Sequence, residues 1–230
     1  MYFELKENRP HGTPENPFSQ YHISDVKRAF QIPVHWHDEL EIIYVKQGKL
    51  HVTISGKNYI GSPKDAFVVS PGSQHFMGSP TGDADYYTFL FPLEYISFQT
   101  DDLMEKSILS PLKRGRLMIS PQINDTAADI CERLIEINAQ ISGKNAENTD
   151  AANIEAQFET KITLIKFIRK MWRNGLILEN GTNGINTTEK EMITYIWQNY
   201  TREISLKEFG AQFHLSEKYI SRYFKEHFHI

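Results

Sequence analysis

The chain has 230 residues, of which 40 % are hydrophobic and 23 % charged, a balance typical of a globular protein. Its formal net charge of -4 excludes a global positive field, so any contact with nucleic acid must come from a local basic helix face. The single cysteine excludes an internal disulfide. No stretch approaches the ~20 apolar residues of a membrane span, and the N-terminus lacks the apolar core of a signal peptide. We therefore expect a cytoplasmic protein without a membrane partner.

The first half of the chain has the pattern of short β-strands. Three prolines and a glycine make the first 20 residues irregular. From about Tyr21 to Tyr95, β-branched and aromatic segments such as ELEIIYVKQGKLHVTISGKNYIG are separated by turn signals at Gly48 and Gly56. Closely spaced strands without intervening helices predict an antiparallel barrel or sandwich.

The stretch HWHDELE, residues 35–41, places two histidines and a glutamate at even spacings. On a single strand, His35, His37 and Glu41 would point to one face together with Ile43 and Val45. That face is the interior of a closed barrel, so two imidazoles and a carboxylate would converge inside it.

A further histidine, His75, ends the stretch KDAFVVSPGSQH. The spacing H-x-H-x3-E-x6-G from His35 to Gly48 resembles the first cupin motif, and Gly72 and His75 match part of the second. Imidazoles with a carboxylate suit Fe, Mn, Ni or Zn, but the same groups could line a pocket and hydrogen-bond a polar ligand. Two interpretations therefore remain open for His35, His37, Glu41 and His75: an effector pocket or a divalent metal site.

After Pro121 the hydrophobic period changes from two to about 3.6, which predicts helices. Residues 125–142 form the first, with apolar positions at Ala127, Ile130, Leu134, Ile137 and Ile141. The second and longer helix has its apolar positions at Ile154, Phe158, Ile162, Ile165, Ile168 and Trp172. A short polar loop between them predicts an antiparallel hairpin, packed on the barrel or paired with a second subunit, and we expect a homodimer.

The stretch SLKEFGAQFHLSEKYISRYFKEHF has the pattern of a helix-turn-helix. The first helix has an apolar face of Leu206, Phe209 and Phe213, and the small Gly210 lies where a second helix approaches. Histidine at position 214 occupies the turn, where it tolerates a positive φ, and Ser216 is a good N-cap for the next helix.

The second of these helices has two distinct faces. Ile220 and Phe224 are predicted to be buried against the first helix. The opposite face carries four polar residues at helical spacing, Lys218, Ser221, Arg222 and Lys225. This arrangement is what a recognition helix needs to enter a major groove.

The order of these parts resembles the AraC family of bacterial transcription regulators: a barrel that opens with HWHDELEIIYVKQG, a helical hairpin, and S-x3-I-x-R-x-F-K from Ser216 to Lys225. The resemblance implies a barrel that senses a small molecule, often a sugar, helices that pair two subunits, and DNA contacts. Lys218, Ser221 and Arg222 would face bases, and Lys225 the phosphates. Family members carry two helix-turn-helix units, so we expect the sequence to be truncated after the first.

The sequence thus predicts an α+β fold: a cupin-like antiparallel β-barrel, a helical hairpin and a partial helix-turn-helix. The domains are an effector-binding domain at 1–123, a dimerisation hairpin at 124–180, a linker at 181–187 and a DNA-binding segment at 188–230. The predicted function is a ligand-responsive regulator that binds operator DNA and is not an enzyme, with a carbohydrate as one candidate effector. The alternative is a metal-dependent cupin enzyme, an oxygenase or isomerase.

Overall fold

The computed structural model describes residues 6–7, 9–24, 28–142, 150–180, 192, 195–196, 199 and 202–228. Eight strands follow one another in the first half of the chain. They are β1 Ser19–Ile23, β2 Phe30–His35, β3 Leu40–Gln47, β4 Leu50–Ile54, β5 Lys57–Gly61, β6 Ala66–Val69, β7 His75–Ser79 and β8 Asp85–Phe91. Short turns connect most of them, as the sequence predicts.

The strands form two antiparallel sheets that face each other. One sheet has the order β1-β8-β3-β6-β10, where β10 is Gln122–Asn124, and the other has the order β2-β7-β4-β5. Alternate side chains of both sheets fill the space between them. This interior cluster contains Ile43, Val45, Leu50, Val52, Ile54, Phe67, Val69, Met77 and Tyr86. The predicted α+β fold with a cupin-like antiparallel barrel is therefore confirmed.

The outer face of the five-stranded sheet is covered by helices. These are α1 Ser110–Lys113, α2 Ala128–Ser142 and α3 Asp150–Arg173. Leu40, Ile42 and Tyr44 of β3 share a core with Leu134 of α2 and Phe167 of α3. A polar contact reinforces the packing of α2, because the Tyr44 hydroxyl donates to Glu132 Oε1 at 2.8 Å and Lys46 Nζ lies 2.6 Å from the same oxygen. The hairpin is thus built onto the barrel.

The two helices of the hairpin use their apolar positions differently. Ala127, just before α2, and Ile130, Leu134 and Ile137 within it are buried as predicted. The side chain of Ile141 lies outside the described residues. In α3, the buried residues are Thr160, Thr163, Leu164, Phe167, Ile168 and Met171. The other apolar band is exposed, with Ile154, Phe158, Ile162 and Trp172 having exposed fractions of 55 %, 60 %, 42 % and 59 %. Of the predicted stripe, Ile165 and Ile168 therefore pack against the barrel, whereas the other four residues do not.

A small two-stranded sheet joins the end of the hairpin to the barrel. It consists of β9, Leu117–Ile119, and β11, Ile177–Glu179, paired antiparallel. The helical periodicity gave no sign of β11. The predicted linker at 181–187 lies outside the described residues. Among the helices that the structure describes, none combines the length and the hydrophobicity of a membrane span.

The described C-terminal residues form a compact pair of helices, α4 Leu206–Phe213 and α5 Glu217–Phe228. Their core contains Met192, Phe209, Ile220 and Tyr223, with Phe213 and Phe224 packed beside it. Of the predicted apolar face, Phe209 and Phe213 pack in this core, whereas Leu206 is 47 % exposed. The reason is that Leu206 is the first residue of the helix and has no preceding turn to cover it.

Candidate functional site

The four residues of the predicted cluster come together at one end of the barrel interior. His35, the last residue of β2, pairs in register with His75, the first residue of β7. His37 lies in the connection to β3, and Glu41 is the second residue of that strand, so the three residues His35, His37 and Glu41 do not lie on the single strand that their even spacing predicted. Candidate ligand nitrogens of the three histidines all lie within 4.8 Å of one another. Glu41 Oε2 is 3.3 Å from His37 Nε2 and 3.0 Å from His75 Nε2.

Burial differs across the cluster in a way that defines its open side. The exposed fractions of His37, Glu41 and His75 are 2 %, 3 % and 1 %. The side chain of His35 remains 17 % exposed. His35 therefore lies on the side of the cluster nearest to solvent, and the other three side chains are buried behind it.

Backbone carbonyls orient all three imidazole rings. The Nδ1 atoms of His35, His37 and His75 lie 2.8, 3.1 and 3.1 Å from the carbonyl oxygens of Pro33, Glu39 and Ser73, respectively. Since a carbonyl oxygen only accepts, each Nδ1 is a donor, and the Nε2 atom of each ring is left to face the cluster.

The electrostatics of the cluster require a positive charge near Glu41. Burial lowers the pKa of His37, but the hydrogen bond and charge of Glu41 outweigh burial and raise it overall. Burial and then the charge of His75 lower the pKa of His35 to about 4. For Glu41, burial raises the pKa, but the charge of His75 and the hydrogen bond from His37 lower it further than burial raises it. The carboxylate is thus ionised and needs a proton on a neighbouring ring or a metal cation.

The donor set fits a divalent first-row transition metal. Nε2 of His75 is completely buried and has no well-aligned hydrogen-bond partner among the described residues, although Glu41 is close. Three imidazole nitrogens held by outer hydrogen bonds, together with one carboxylate, are typical of such sites. His35, His37, Glu41 and His75 would be the ligands, and the metal would supply a Lewis-acidic centre for a polar ligand.

The N-terminal strap, residues 6–7 and 9–11, adds two groups that sequence spacing did not reveal. Its backbone pairs with Trp36, and Lys6 Nζ lies 2.8 Å from Asp38 Oδ2. Glu7 Oε2 lies 3.7 Å from His35 Nε2 and 3.4 Å from His11 Nε2. The His11 ring is 8 % exposed, with its centroid 5.7 Å from that of His37. The strap therefore extends the cluster with one carboxylate and one imidazole.

Tyr86 is a further residue that the sequence reasoning missed. Its hydroxyl is buried in the barrel interior without a hydrogen-bond partner among the described residues. Burial, and then the charge of Glu41, raise the pKa of this phenol, so it stays protonated and able to donate. Its register partner Val45 is an interior position, so strand alternation was the signal that could have identified it.

The helix-turn-helix expectations are met at the turn. His214 ends α4 with φ 55°, in the left-handed region, as predicted for the turn residue. A Cβ atom on Gly210 would lie 2.5 Å from the Leu215 carbonyl oxygen, which explains the glycine. Ser216 Oγ accepts a hydrogen bond from the Tyr219 amide and caps α5.

The outward face of α5 carries the predicted DNA-contacting residues. Ile220 is 1 % exposed, while Phe224 is half-buried against the same core. The exposed side chains on the other face are Lys218, Ser221, Arg222 and Lys225. The Arg222 guanidinium lies 5.8 Å from the ring centroid of Tyr219, an exposed aromatic residue that the sequence reasoning did not assign to this face.

Comparisons with known proteins agree on the family. Residues 17–156 match the model of the AraC-like ligand binding domain. Over 197 residues the chain is 23 % identical to YdiP, an uncharacterised HTH-type transcriptional regulator of Escherichia coli (strain K12). The match covers 85 % of this chain and 61 % of that protein, so the chain spans about three fifths of its relative.

Two similar solved structures each match a third of the chain. An RmlC-like cupin from Shewanella frigidimarina NCIMB 400 is 25 % identical, with 33 % of this chain and 66 % of that one covered and a TM-score of 0.31. Oxalate decarboxylase from Bacillus subtilis is 22 % identical, with 33 % and 21 % covered and a TM-score of 0.29.

Proposed function

Because the chain belongs to the family of the AraC-like ligand binding domain, we propose that it is a ligand-responsive transcription regulator that binds operator DNA through α5. One observation carries the proposal. In the same chain, a family ligand-binding barrel is followed by a capped helix-turn-helix whose polar face is exposed. The similarity to a transcriptional regulator over 85 % of the chain supports the same function and favours a non-enzymatic protein.

The effector site is proposed at the histidine cluster, His35, His37, Glu41 and His75. The strap that carries Glu7 and His11 lies against the more exposed side of this cluster, next to His35. Carboxylates accept hydrogen bonds from hydroxyl groups, and imidazoles can donate to them or accept from them. A carbohydrate is therefore one effector class that fits. An anionic effector is disfavoured unless a cation neutralises Glu41 and Glu7 first.

The DNA interface is proposed on the exposed face of α5. Lys218, Ser221 and Arg222 would face base edges, and Lys225 would contact a phosphate. A single recognition helix with about four polar contacts has a small footprint, so binding by this chain alone should be weak at physiological salt. A dimer would double the footprint and would match a two-fold symmetric operator.

The dimer seam is proposed on the exposed apolar stripe of α3, formed by Ile154, Phe158, Ile162 and Trp172. Ile154, Phe158 and Ile162 lie on successive turns of one face of α3, and Trp172 lies further along the same face. A monomeric protein rarely leaves an apolar surface of this kind in water. An isologous contact would place the same stripe of two subunits against itself.

A second candidate function is a metal-dependent cupin enzyme, and the donor set of the histidine cluster favours it. The two functions differ in what the metal-loaded chain does. Stoichiometric Fe or Mn with turnover of a small molecule would support an enzyme, whereas metal or ligand binding that changes DNA affinity without turnover would support a regulator.

The test of the proposed function is selection of DNA from a randomised duplex pool at low salt, with the full 230-residue chain as the binding protein. Enrichment of a defined sequence by the parent, but not by an Arg222→Ala variant of equal stability, is the expected result. Recovery of an unenriched pool by both proteins would overturn DNA recognition by α5.

A further inference from the structure

A cavity of about 600 Å³ lies outside the barrel, between the N-terminal segment and the helical hairpin. Its walls come from residues 13–20, from α2 and from the first half of α3. The volume falls within the range of ~300–1,000 Å³ that small-molecule sites occupy. The histidine cluster is separate from it, because none of its residues lines this cavity.

The lining of the cavity is part apolar and part polar. Its apolar side chains are those of Phe18, Leu134, Ile137, Ile154 and Ala156. Leu134 belongs to the core that packs the helices onto the sheet, and Phe18 packs against that core. Both walls also contribute hydroxyl and carboxamide groups. Apolar surfaces with a few placed polar groups are typical of ligand sites.

Hydrogen bonds fix the N-terminal segment to the hairpin and to the end of the barrel. Gln157 Nε2 on α3 donates to the backbone oxygen of Glu15 at 3.0 Å. The Tyr95 hydroxyl, on the short 3-10 helix that follows β8, donates to Asn16 Oδ1 at 3.3 Å. The N-terminal segment is therefore fixed over the hairpin, and the space between them is a formed cavity.

One polar group of the cavity points to a ligand that donates hydrogen bonds, and a second is available to contact it. Gln20 Oε1 is a buried acceptor without a hydrogen-bond partner among the described residues. The side chain of Thr160 lines the cavity although the residue is only 5 % exposed. A buried acceptor without a donor costs free energy that a ligand hydroxyl or amine would recover.

The charges of the lining restrict the ligand further. Glu15 and Asp150 contribute carboxylates, and no lysine or arginine of residues 6–142 or 150–180 that the structure describes lines the cavity. Without a cation in the wall, an anionic ligand would meet only repulsion and an uncompensated desolvation cost. A neutral or cationic ligand would not.

We propose that this cavity is a second ligand site, distinct from the histidine cluster, and that it binds a small hydroxyl-rich molecule without negative charge. Such a ligand would contact the N-terminal segment and both helices of the hairpin at once. The segment continues directly from the strap that carries Glu7 and His11. A ligand in the cavity would therefore affect how the strap packs against the histidine cluster. The proposal does not depend on which effector the histidine cluster binds.

The test is isothermal titration of the full 230-residue chain with glucose, galactose, myo-inositol, glucosamine and gluconate. At least one of the neutral or cationic probes is expected to bind, and gluconate is expected to bind at least about tenfold more weakly than glucosamine. The absence of binding by all five probes, or equal affinity for gluconate, would overturn the proposal.

Two matched pairs of variants locate the binding. Ala156→Leu fills the cavity and should weaken binding by about tenfold or more, whereas Ala151→Leu, at an exposed position of the same helix outside the lining, should not. Thr160→Val removes a cavity hydroxyl and should weaken binding, whereas Thr163→Val removes a buried hydroxyl outside the lining and should not. Loss of binding in His37→Ala instead of Ala156→Leu would move the site to the barrel and contradict the proposal. A change of oligomeric state in Ala156→Leu without a change in ligand affinity would assign the cavity to a subunit contact and equally contradict it.

Discussion

Val34 and His35 are consecutive residues of β2, and their side chains pack against different parts of the molecule. Val34 packs against the C-terminal core that contains Phe209 and Ile220. The His35 ring lies in the histidine cluster, with its centroid 4.1 Å from that of His75. Alternation along a strand places neighbours on opposite faces, so one strand connects the candidate effector site with the helix-turn-helix.

The contact of Val34 predicts that truncating this side chain loosens the C-terminal helices. Val34→Ala should cost about 1 kcal/mol of local stability, because two half-buried methyl groups lose their contacts. Amide hydrogen exchange in α4 and α5 should become faster, while that of β3 and β8 stays unchanged. Gln31→Ala, at an exposed position of the same strand, is the control. Unchanged exchange in α5 of Val34→Ala would show that β2 and the C-terminal helices are not coupled.

Metal binding at the histidine cluster is predicted to depend on residues that lie far apart in sequence. After chelation, the chain should take up about one Zn²⁺ or Mn²⁺ ion. His37→Ala and His75→Ala should each weaken binding by about tenfold to a hundredfold, as judged from competition with a chromophoric chelator. His22→Ala, which removes a partly exposed histidine paired with Asp85, should bind like the parent. Equal losses in His22→Ala and His37→Ala would mean that the metal binds elsewhere.

The sequence predicted the part of this site that follows from strand alternation and motif spacing. Glu41, Ile43 and Val45 share the interior face because β3 is a regular strand, and the pairing of His35 with His75 completes the cluster. Glu7 and His11 could not be predicted in this way. They reach the cluster because an irregular segment folds back along Trp36, and such a contact leaves no periodic signal in the sequence.

The choice of face in α3 could not be read from the sequence for a different reason. The helix has two bands that contain apolar residues, and only the three-dimensional position of the sheet decides which band is covered. The threonines Thr160 and Thr163 lie on the buried band, so polarity alone pointed away from the correct face. The uncovered band contains larger side chains, including Phe158 and Trp172.

Replacement of Phe158 is predicted to weaken self-association without unfolding the chain. Its side chain is 60 % exposed, so a charged residue there causes little loss of intramolecular packing but opposes burial against a second subunit. Sedimentation velocity should show a dimer for the parent and a monomer for Phe158→Asp at the same concentration. Phe98→Asp changes another exposed phenylalanine, outside the hairpin, and should remain dimeric. A parent that sediments as a monomer would remove the proposed seam.

Arg222 and Lys225 are predicted to affect DNA binding in different ways. Arg222→Ala should cost about 1–3 kcal/mol on the selected sequence and relax preference at one base pair, because its exposed guanidinium is placed to read a base edge. Lys225→Ala should weaken binding to all sequences and lower the salt slope by about one. Fluorescence anisotropy at several salt concentrations separates the two effects. Lys57→Ala, on a barrel strand, is the control and should bind like the parent. Identical salt slopes for the parent and all three variants would exclude a phosphate contact by Lys225.

Substitutions at two positions of the helix-turn-helix, four residues apart, are predicted to have opposite effects on stability. Alanine normally stabilises a helix relative to glycine, but a Cβ atom at position 210 would lie 2.5 Å from the Leu215 backbone oxygen. We therefore expect Gly210→Ala to destabilise the pair of helices by about 1–3 kcal/mol. His214 has φ 55°, which costs a side-chain-bearing residue more than glycine, so His214→Gly should be neutral or stabilise by up to about 1 kcal/mol. Hydrogen exchange of the α5 amides measures both changes. Faster exchange in His214→Gly than in Gly210→Ala would contradict the close approach of the two helices on which the proposed DNA-reading face depends.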